Sequence, residues 1–372
     1  MSDIHFQKNH SLILLKDCNE LRQGFSTLQT PRDISTLLEV PYGLLIYHLY
    51  KVPDRKKYEK FFIRKRTGGL RTISAPATTL KIIQRKLSQV LYCAYNPKAP
   101  VHGFVPARSI VTNAAHHVRK RYVFNIDIAD FFDSIHFGRV RGVFMAPPYQ
   151  LPANVSTVLA QICCFSNQLP QGAPTSPVVS NIVCARLDSQ LRLLAKEKHC
   201  TYTRYADDIT FSTRLTRFPS EIASRKEGED DVVVGERLLS IIEGNGFQVN
   251  WKKVRLQHKN NHQEVTGLTV NQFPNVDRKF IRHISSMLHV WKRFGLPAAR
   301  KGYRQKCINK LRETSEVSEE ELLKKEFPVF EEVLRGKINF LQMVRGKHDP
   351  IYRKYWNWYR ELERKQNISR QD

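Results

Sequence analysis

Two adjacent carboxylates stand between two runs of strand-forming residues in Thr203-Arg204-Tyr205-Ala206-Asp207-Asp208-Ile209-Thr210-Phe211. The apolar and β-branched residues on either side predict the arms of a hairpin, with the acids at or next to its turn. Asp is common in solvated turns. Two neighbouring acids repel, however, and a fold gains nothing from pressing them together unless a cation neutralises both. The pattern points to a divalent metal held by oxygen ligands.

Two further blocks narrow the reading. Tyr122-Val123-Phe124-Asn125-Ile126-Asp127-Ile128 is an apolar strand ending in one acid, followed by Ala129-Asp130-Phe131-Phe132-Asp133. Between the acidic sites lies Leu169-Pro170-Gln171-Gly172-Ala173-Pro174-Thr175-Ser176-Pro177, a loop that opens a helix. Ser176 is expected to cap that helix and Pro177 to be its first residue, with Val183, Leu187 and Leu191 as its apolar stripe. Asp130 and Asp133 are rival metal ligands, but each lies beyond the strand, where a carboxylate more often caps a helix. Phe131 and Phe132 are consecutive and cannot share one face, so one of them is expected to be fully buried.

The chain has 372 residues and 41% hydrophobic content, enough for two or three packed units. Sixty basic against thirty-five acidic residues give a net charge of +25, spread along the chain, which implies a polyanionic partner. Membrane surfaces are polyanionic too, but runs such as Leu12-Ile13-Leu14-Leu15 are too short to span a bilayer. No secretory signal is visible, so the expected location is cytoplasmic, with no membrane partner. Seven cysteines, an odd number without C-x-x-C spacing, predict reduced thiols and no zinc site.

Residues 1–50 read as a helical region and residues 51–274 as one alternating unit. That unit opens with a basic hairpin around Thr67-Gly68-Gly69 and continues with a helix over Leu80–Leu91. Residues 275–372 read as a basic helical domain carrying Trp291, Tyr303, Trp356, Trp358 and Tyr359, with core packing the plain alternative for the last three. Residues 214–237, with the acidic run Lys226-Glu227-Gly228-Glu229-Asp230-Asp231, read as a mobile surface insertion.

The lone acid, the Pro-Gln-Gly loop and Tyr-Ala-Asp-Asp occur in that order within about ninety residues of one another. This arrangement resembles the palm of a reverse transcriptase. The resemblance implies an α+β right-hand polymerase fold with fingers, a ferredoxin-like antiparallel palm and a helical thumb. It also implies two Mg²⁺ ions per site, bound by Asp127, Asp207 and Asp208 with the carbonyl of Ile128, for transfer from deoxynucleoside triphosphates. Phe132 matches the aromatic wall that excludes a ribose 2′-hydroxyl. Gln171 and Gly172 match the loop beside the nascent base pair, where glycine allows close backbone approach. Lys65, Arg66 and above all Arg71, in Leu70-Arg71-Thr72-Ile73-Ser74-Ala75-Pro76, match the triphosphate clamp. Lys253, in Gly246-Phe247-Gln248-Val249-Asn250-Trp251-Lys252-Lys253, matches the lysine that donates a proton to pyrophosphate.

Val101-His102-Gly103-Phe104-Val105-Pro106-Ala107-Arg108-Ser109-Ile110 leads into Asn113-Ala114-Ala115-His116-His117, which is similar to the N-A-x-x-H signature of retron reverse transcriptases. Val265-Thr266-Gly267 matches their V-T-G signature. The likeness covers roughly residues 30–275. It implies RNA or primer contacts at Asn113, His117, Val265, Thr266 and Gly267, and a cognate structured non-coding RNA. It further implies a branched RNA–DNA product (msDNA) primed from an internal 2′-hydroxyl, and anti-phage defence with a separate effector protein. Group II intron and diversity-generating enzymes share such a palm. A catalytically idle RNA-binding protein on the same fold is the alternative of a different class, against which the intact acids stand.

Overall fold

The computed structural model describes residues 12–64, 68–225, 231–314 and 325–368. The chain divides into two units between Asn261 and His262, ahead of the break expected after residue 274, so Val265-Thr266-Gly267 falls in the second unit.

The first unit opens with α1 (Cys18–Ser26), α2 (Pro31–Leu37), α3 (Tyr42–Ile46) and α4 (Asp54–Lys57). Asp17 caps α1 by accepting from the amides of Asn19 and Glu20, while Glu20 reaches back to the Asp17 amide. This capping box satisfies backbone donors that the first helical turn leaves open. The finger hairpin follows as β1 (Tyr58–Arg64) and β2 (Leu70–Pro76), in register from Tyr58↔Pro76 to Arg64↔Leu70. Next comes α5 (Thr78–Ala94), whose Leu87, Val90 and Leu91 share a core with Leu21 and Phe25 of α1.

Packing of α1 on α5 joins Cys18 and Cys93 as a disulfide with Cα atoms 5.2 Å apart. This corrects the expectation that every thiol is reduced. The two cysteines lie 75 residues apart, so their meeting depends on helix packing and not on local spacing.

The palm comprises α6 (Ile110–Ala115), β3 (Tyr122–Asp127), α7 (Phe137–Met145), α8 (Ala153–Cys163), α9 (Ser176–Val183), α10 (Ala185–Glu197), β4 (Thr201–Tyr205), β5 (Asp208–Thr213), β6 (Ala223–Arg225), β7 (Val232–Val234), α11 (Glu236–Gly244) and β8 (Arg255–His258). Four strands form an antiparallel sheet in the order β4-β5-β3-β8. Phe124, Ile126, Ile209, Phe211 and Leu256 on the sheet share one core with Val179, Leu187, Leu191 and Leu194 of α9 and α10. Burying one face of an antiparallel sheet under helices is the two-layer solution expected of an α+β palm.

Two local expectations are corrected. Thr175 holds the cap position of α9, and Ser176 is its first helical residue, its hydroxyl donating to the Pro170 carbonyl at 2.7 Å. The supposed insertion is anchored where it is described. β6 and β7 pair, Ile222, Ala223 and Val234 are buried, and Glu221 pairs with Lys198. Most of the acidic run lies outside the described residues.

The second unit begins with a short hairpin, β9 (Glu264–Val265) and β10 (Leu268–Thr269). It continues with α12 (Arg278–Thr314), broken at Gly295 (φ 76°), then α13 (Phe330–Arg345) and α14 (Pro350–Ile368). Leu288, Trp291, Phe330, Leu334, Ile338 and Tyr359 are buried, with the Trp291 ring 5.6 Å from Tyr359. Tyr359 is therefore core, while Trp356 is half-buried and stacks between Tyr352 and Tyr359. Among the described residues no helix is long and apolar enough to cross a membrane.

Candidate active site

Strand pairing assembles the acids. Tyr205 faces Asp208 across β4 and β5, leaving Ala206 and Asp207 as a two-residue turn, with Ala206 at φ 57°. Asp127 at the end of β3 faces Asp208 on β5, and the Ile128 amide donates to the Asp207 carbonyl at 3.1 Å. Three carboxylates thus converge at one end of the sheet. Burial pushes the pKa of Asp207 up to about 6, with Asp127 adding to the effect. It pushes Asp208 up to about 7, with Asp207 and then Asp127 adding. Asp207 and Asp208 resist ionising where burial and neighbouring carboxylates meet.

Asp127 is gripped from the adjoining segment. The Asn250 amide donates to its carbonyl at 2.8 Å, Asn250 Nδ2 donates to Oδ2 at 3.1 Å, and Lys253 Nζ donates to Oδ1 at 2.9 Å. Burial opposes the charge on Lys253, yet the bond to Asp127 and the fields of Asp207 and Asp208 hold its pKa above the usual lysine range. Among the described residues no three acid, His or Cys side chains enclose a point as a finished metal cage. What the aspartates supply is an open set of oxygen donors with excess negative charge, a donor chemistry that fits a hard divalent cation. Asn250 was not anticipated. Only its place three residues before Lys253 could have drawn attention to it.

The turn is backed by the Val-His-Gly-Phe block. Arg204 N donates to the Pro100 carbonyl at 2.8 Å, and His102 N donates to the Arg204 carbonyl at 2.8 Å. Gly103 then lies so close to the turn that a Cβ would fall 2.3 Å from the Ala206 nitrogen. Asn113 and His117, expected to contact nucleic acid, are instead buried, with 1% and 0% of their surface exposed. His117 lies under the hairpin, its ring nitrogens 2.7 Å from the hydroxyls of Ser212 and Thr203. Burial holds its pKa well below the usual histidine value, so the ring is neutral.

Phe131 is the buried member of its pair, stacked on Phe247, while Phe132 is half-buried with its ring 6.1 Å from that of Phe104. The Gln171 carbonyl accepts from the Ser74 amide at 2.8 Å, tying β2 to the loop. Gly172 (φ 124°) has no room for a side chain, because a Cβ would meet the Ser74 carbonyl oxygen at 2.9 Å. In this structure the close neighbour that demands glycine is the finger strand.

A cleft of about 280 Å³ opens between β2 and the loop, lined by Lys60, Arg71, Asp130, Asp133 and Gln171 among others. Asp130 and Asp133 therefore belong to this cleft, and Gln168 donates to Asp133 at 3.1 Å. Lys65 and Arg66 lie outside the described residues. A larger cleft of about 770 Å³, beside Tyr95, Arg139 and Arg186, contains none of the three catalytic candidates. In the second unit, Val265 is buried, and Thr266 (φ 48°) and Gly267 (φ 79°) form the turn of the short hairpin.

Comparison with known proteins agrees with this geometry. Residues 63–271 match the family described as reverse transcriptase (RNA-dependent DNA polymerase). The chain is 36% identical to the retron Mx65 reverse transcriptase of Myxococcus xanthus, over 74% of this chain and 66% of that protein. It is 34% identical to the retron Mx162 reverse transcriptase of the same organism, over 72% of this chain and 59% of that protein. It is also 34% identical to the retron Ec86 reverse transcriptase of Escherichia coli, over 72% of this chain and 79% of that protein. The match thus spans less than two thirds of the two Myxococcus relatives. Among solved structures, a telomerase from Candida albicans aligns at TM-score 0.43 and 10% identity, over 84% of this chain and 64% of that one. With the family match covering more than half of its length and the Escherichia coli relative matched over most of its own, the chain belongs to the reverse transcriptase family, among the retron enzymes.

Proposed function

We propose that this protein is an RNA-directed DNA polymerase that copies part of a cognate structured non-coding RNA from an internal 2′-hydroxyl, giving msDNA in an anti-phage retron system. The observation that carries the polymerase reading is the meeting of Asp127, Asp207 and Asp208 at one end of the palm sheet. Their carboxylates, with the Ile128 carbonyl, would hold two Mg²⁺ ions. Bound there, magnesium supplies Lewis acidity to the attacking hydroxyl and the departing pyrophosphate.

The surrounding side chains orient the substrates. Arg71 lines the cleft beside Gln171 and offers a cation to the triphosphate of a deoxynucleotide. Phe132, half-exposed beside Phe104, supplies the wall against a ribose 2′-hydroxyl. Lys253 carries a proton next to Asp127 and is the donor to pyrophosphate. His117 acts from beneath, by holding the hairpin through Thr203 and Ser212. The basic helices of the second unit hold the RNA backbone, and the Thr266–Gly267 turn meets the primer strand. The protein works in the cytoplasm with a separate effector protein.

Nucleic acid co-purifying with the full chain tests both levels of this reading. RNase treatment should leave a short discrete DNA bearing an RNA remnant, joined by a bond that survives denaturation. Asp207→Asn should retain the RNA and lose the DNA. Only linear DNA extended from an ordinary 3′-hydroxyl would defeat the retron reading, and DNA made by folded Asp207→Asn would defeat the metal assignment.

A further inference from the structure

One buried charged group plays no part in the chemistry above. Arg204 is fully enclosed and lies on β4, the strand that runs into the catalytic turn. Its Nε and Nη2 donate to the two carboxylate oxygens of Asp188 on α10 at 2.7 and 2.8 Å. Nη2 also donates to Asn181 Oδ1 on α9 at 3.1 Å, and Nη1 donates to the Ala206 carbonyl at 3.0 Å. Asn181 Nδ2 in turn donates to the Gly103 carbonyl at 2.9 Å, and Tyr202 donates to Asp188 at 2.8 Å. One guanidinium therefore links the helix after the Pro-Gln-Gly loop, the next helix and the turn that bears Asp207.

Stability alone is a weak reason for such a group. A buried ion pair can often be replaced by apolar residues of similar volume without loss of stability. What an apolar pair lacks is direction. The guanidinium is a rigid planar fork, and with three of its contacts fixed by Asp188 and Asn181, its remaining arm defines where the Ala206 carbonyl stands. That carbonyl belongs to a residue at φ 57°, a conformation a side chain disfavours unless its surroundings enforce it. Gly103 closes the opposite constraint, its α-carbon packed against the Ala206 nitrogen.

We propose that Arg204, locked by Asp188 and Asn181, is a positioning residue that sets the Ala206–Asp207 turn so that Asp207 and Asp208 face Asp127. This rests on the reading of the three aspartates as metal ligands. The brace touches no substrate; it fixes the spacing of the carboxylates before any metal or nucleotide arrives.

The test uses the full chain and two readouts: direct Mn²⁺ binding by electron paramagnetic resonance without nucleotide, and kcat and KM for deoxynucleotide incorporation. Arg204→Met combined with Asp188→Leu removes both charges together, while Arg204→Lys keeps the charge and loses the fork. Both variants should bind Mn²⁺ at least about tenfold more weakly and lose kcat on the order of ten- to a hundredfold, with KM little changed. Leu159→Ala, a core truncation in α8, should lower the melting temperature and leave Mn²⁺ affinity at the parental value. A double variant that folds with parental Mn²⁺ affinity and kcat overturns the proposal, and so does one that cannot fold, since the network is then only part of the packing. Asp207→Asn separates the two claims. Parental Mn²⁺ affinity there means the metal reading itself is wrong, whereas loss there beside parental affinity in the Arg204 variants removes the brace alone.

Discussion

The two hairpin turns of this protein use one local device in opposite settings. Ala206–Asp207 and Thr266–Gly267 are both two-residue connections with positive φ, at Ala206 in the first and at both residues in the second. The first is closed in from behind: Ala206 is buried, Gly103 presses on its nitrogen and Arg204 binds its carbonyl. At the second, Gly267 is exposed and a Cβ added to it would meet open space. A turn that must hold carboxylates in fixed relation is enforced by packing. A turn that presents backbone at the surface can rely on its own residues, with glycine carrying the left-handed conformation.

The sharpest way to break this contrast is Gly103→Ala. Its methyl group would collide with backbone rather than with a flexible side chain, so the turn itself must move. Primer extension should fall by about a hundredfold or more, and folding stability by about 1–3 kcal/mol. Parental activity would mean that the turn is not held from behind.

A second effect, intermediate in size, concerns the charge stored at the enclosed turn. Folding raises the pKa of Asp207 and Asp208, so the stability they contribute is present below the unfolded carboxylate value of about 3.9 and lost as pH rises through about 6 and 7. In EDTA at pH 8, Asp208→Asn should therefore be more stable than the parent, on the order of 1–3 kcal/mol, and the gain should shrink toward pH 5. Chemical denaturation at the two pH values measures it. A gain independent of pH would show that the carboxylates do not strain one another.

The smallest effect belongs to the open turn. Gly267→Ala meets no neighbour, leaving only the cost of φ 79°, about 1 kcal/mol. A loss of several kcal/mol in a urea melt would mean that this turn is packed like the other.

What could be read from the sequence was local. The arms around Asp207 and Asp208, the strand ending at Asp127 and the finger hairpin each announce themselves by alternation and turn chemistry within a dozen residues. The hidden parts depend on partners distant in the chain. Arg204 looks like any strand residue until Asp188 and Asn181 fold behind it, and Gly103 is one glycine among seventeen until its distance to Ala206 is known. Asn113 and His117 were visible as a motif, but the sheet that covers His117 comes from Thr203 and Ser212. Cys18 and Cys93 meet only because two helices pack.

Gly172 carries a mechanical consequence. The finger hairpin bears on the palm loop through the Ser74–Gln171 bond and the bare α-carbon beneath Ser74. Leu70, at the far end of β2, stands roughly 14 Å beyond that point at the usual rise per strand residue. The hairpin is thus a lever with its fulcrum at residue 172, and a tilt of about ten degrees there carries the tip through roughly 2 Å. A side chain at that bearing would shift the fulcrum and displace the whole arm, including Arg71.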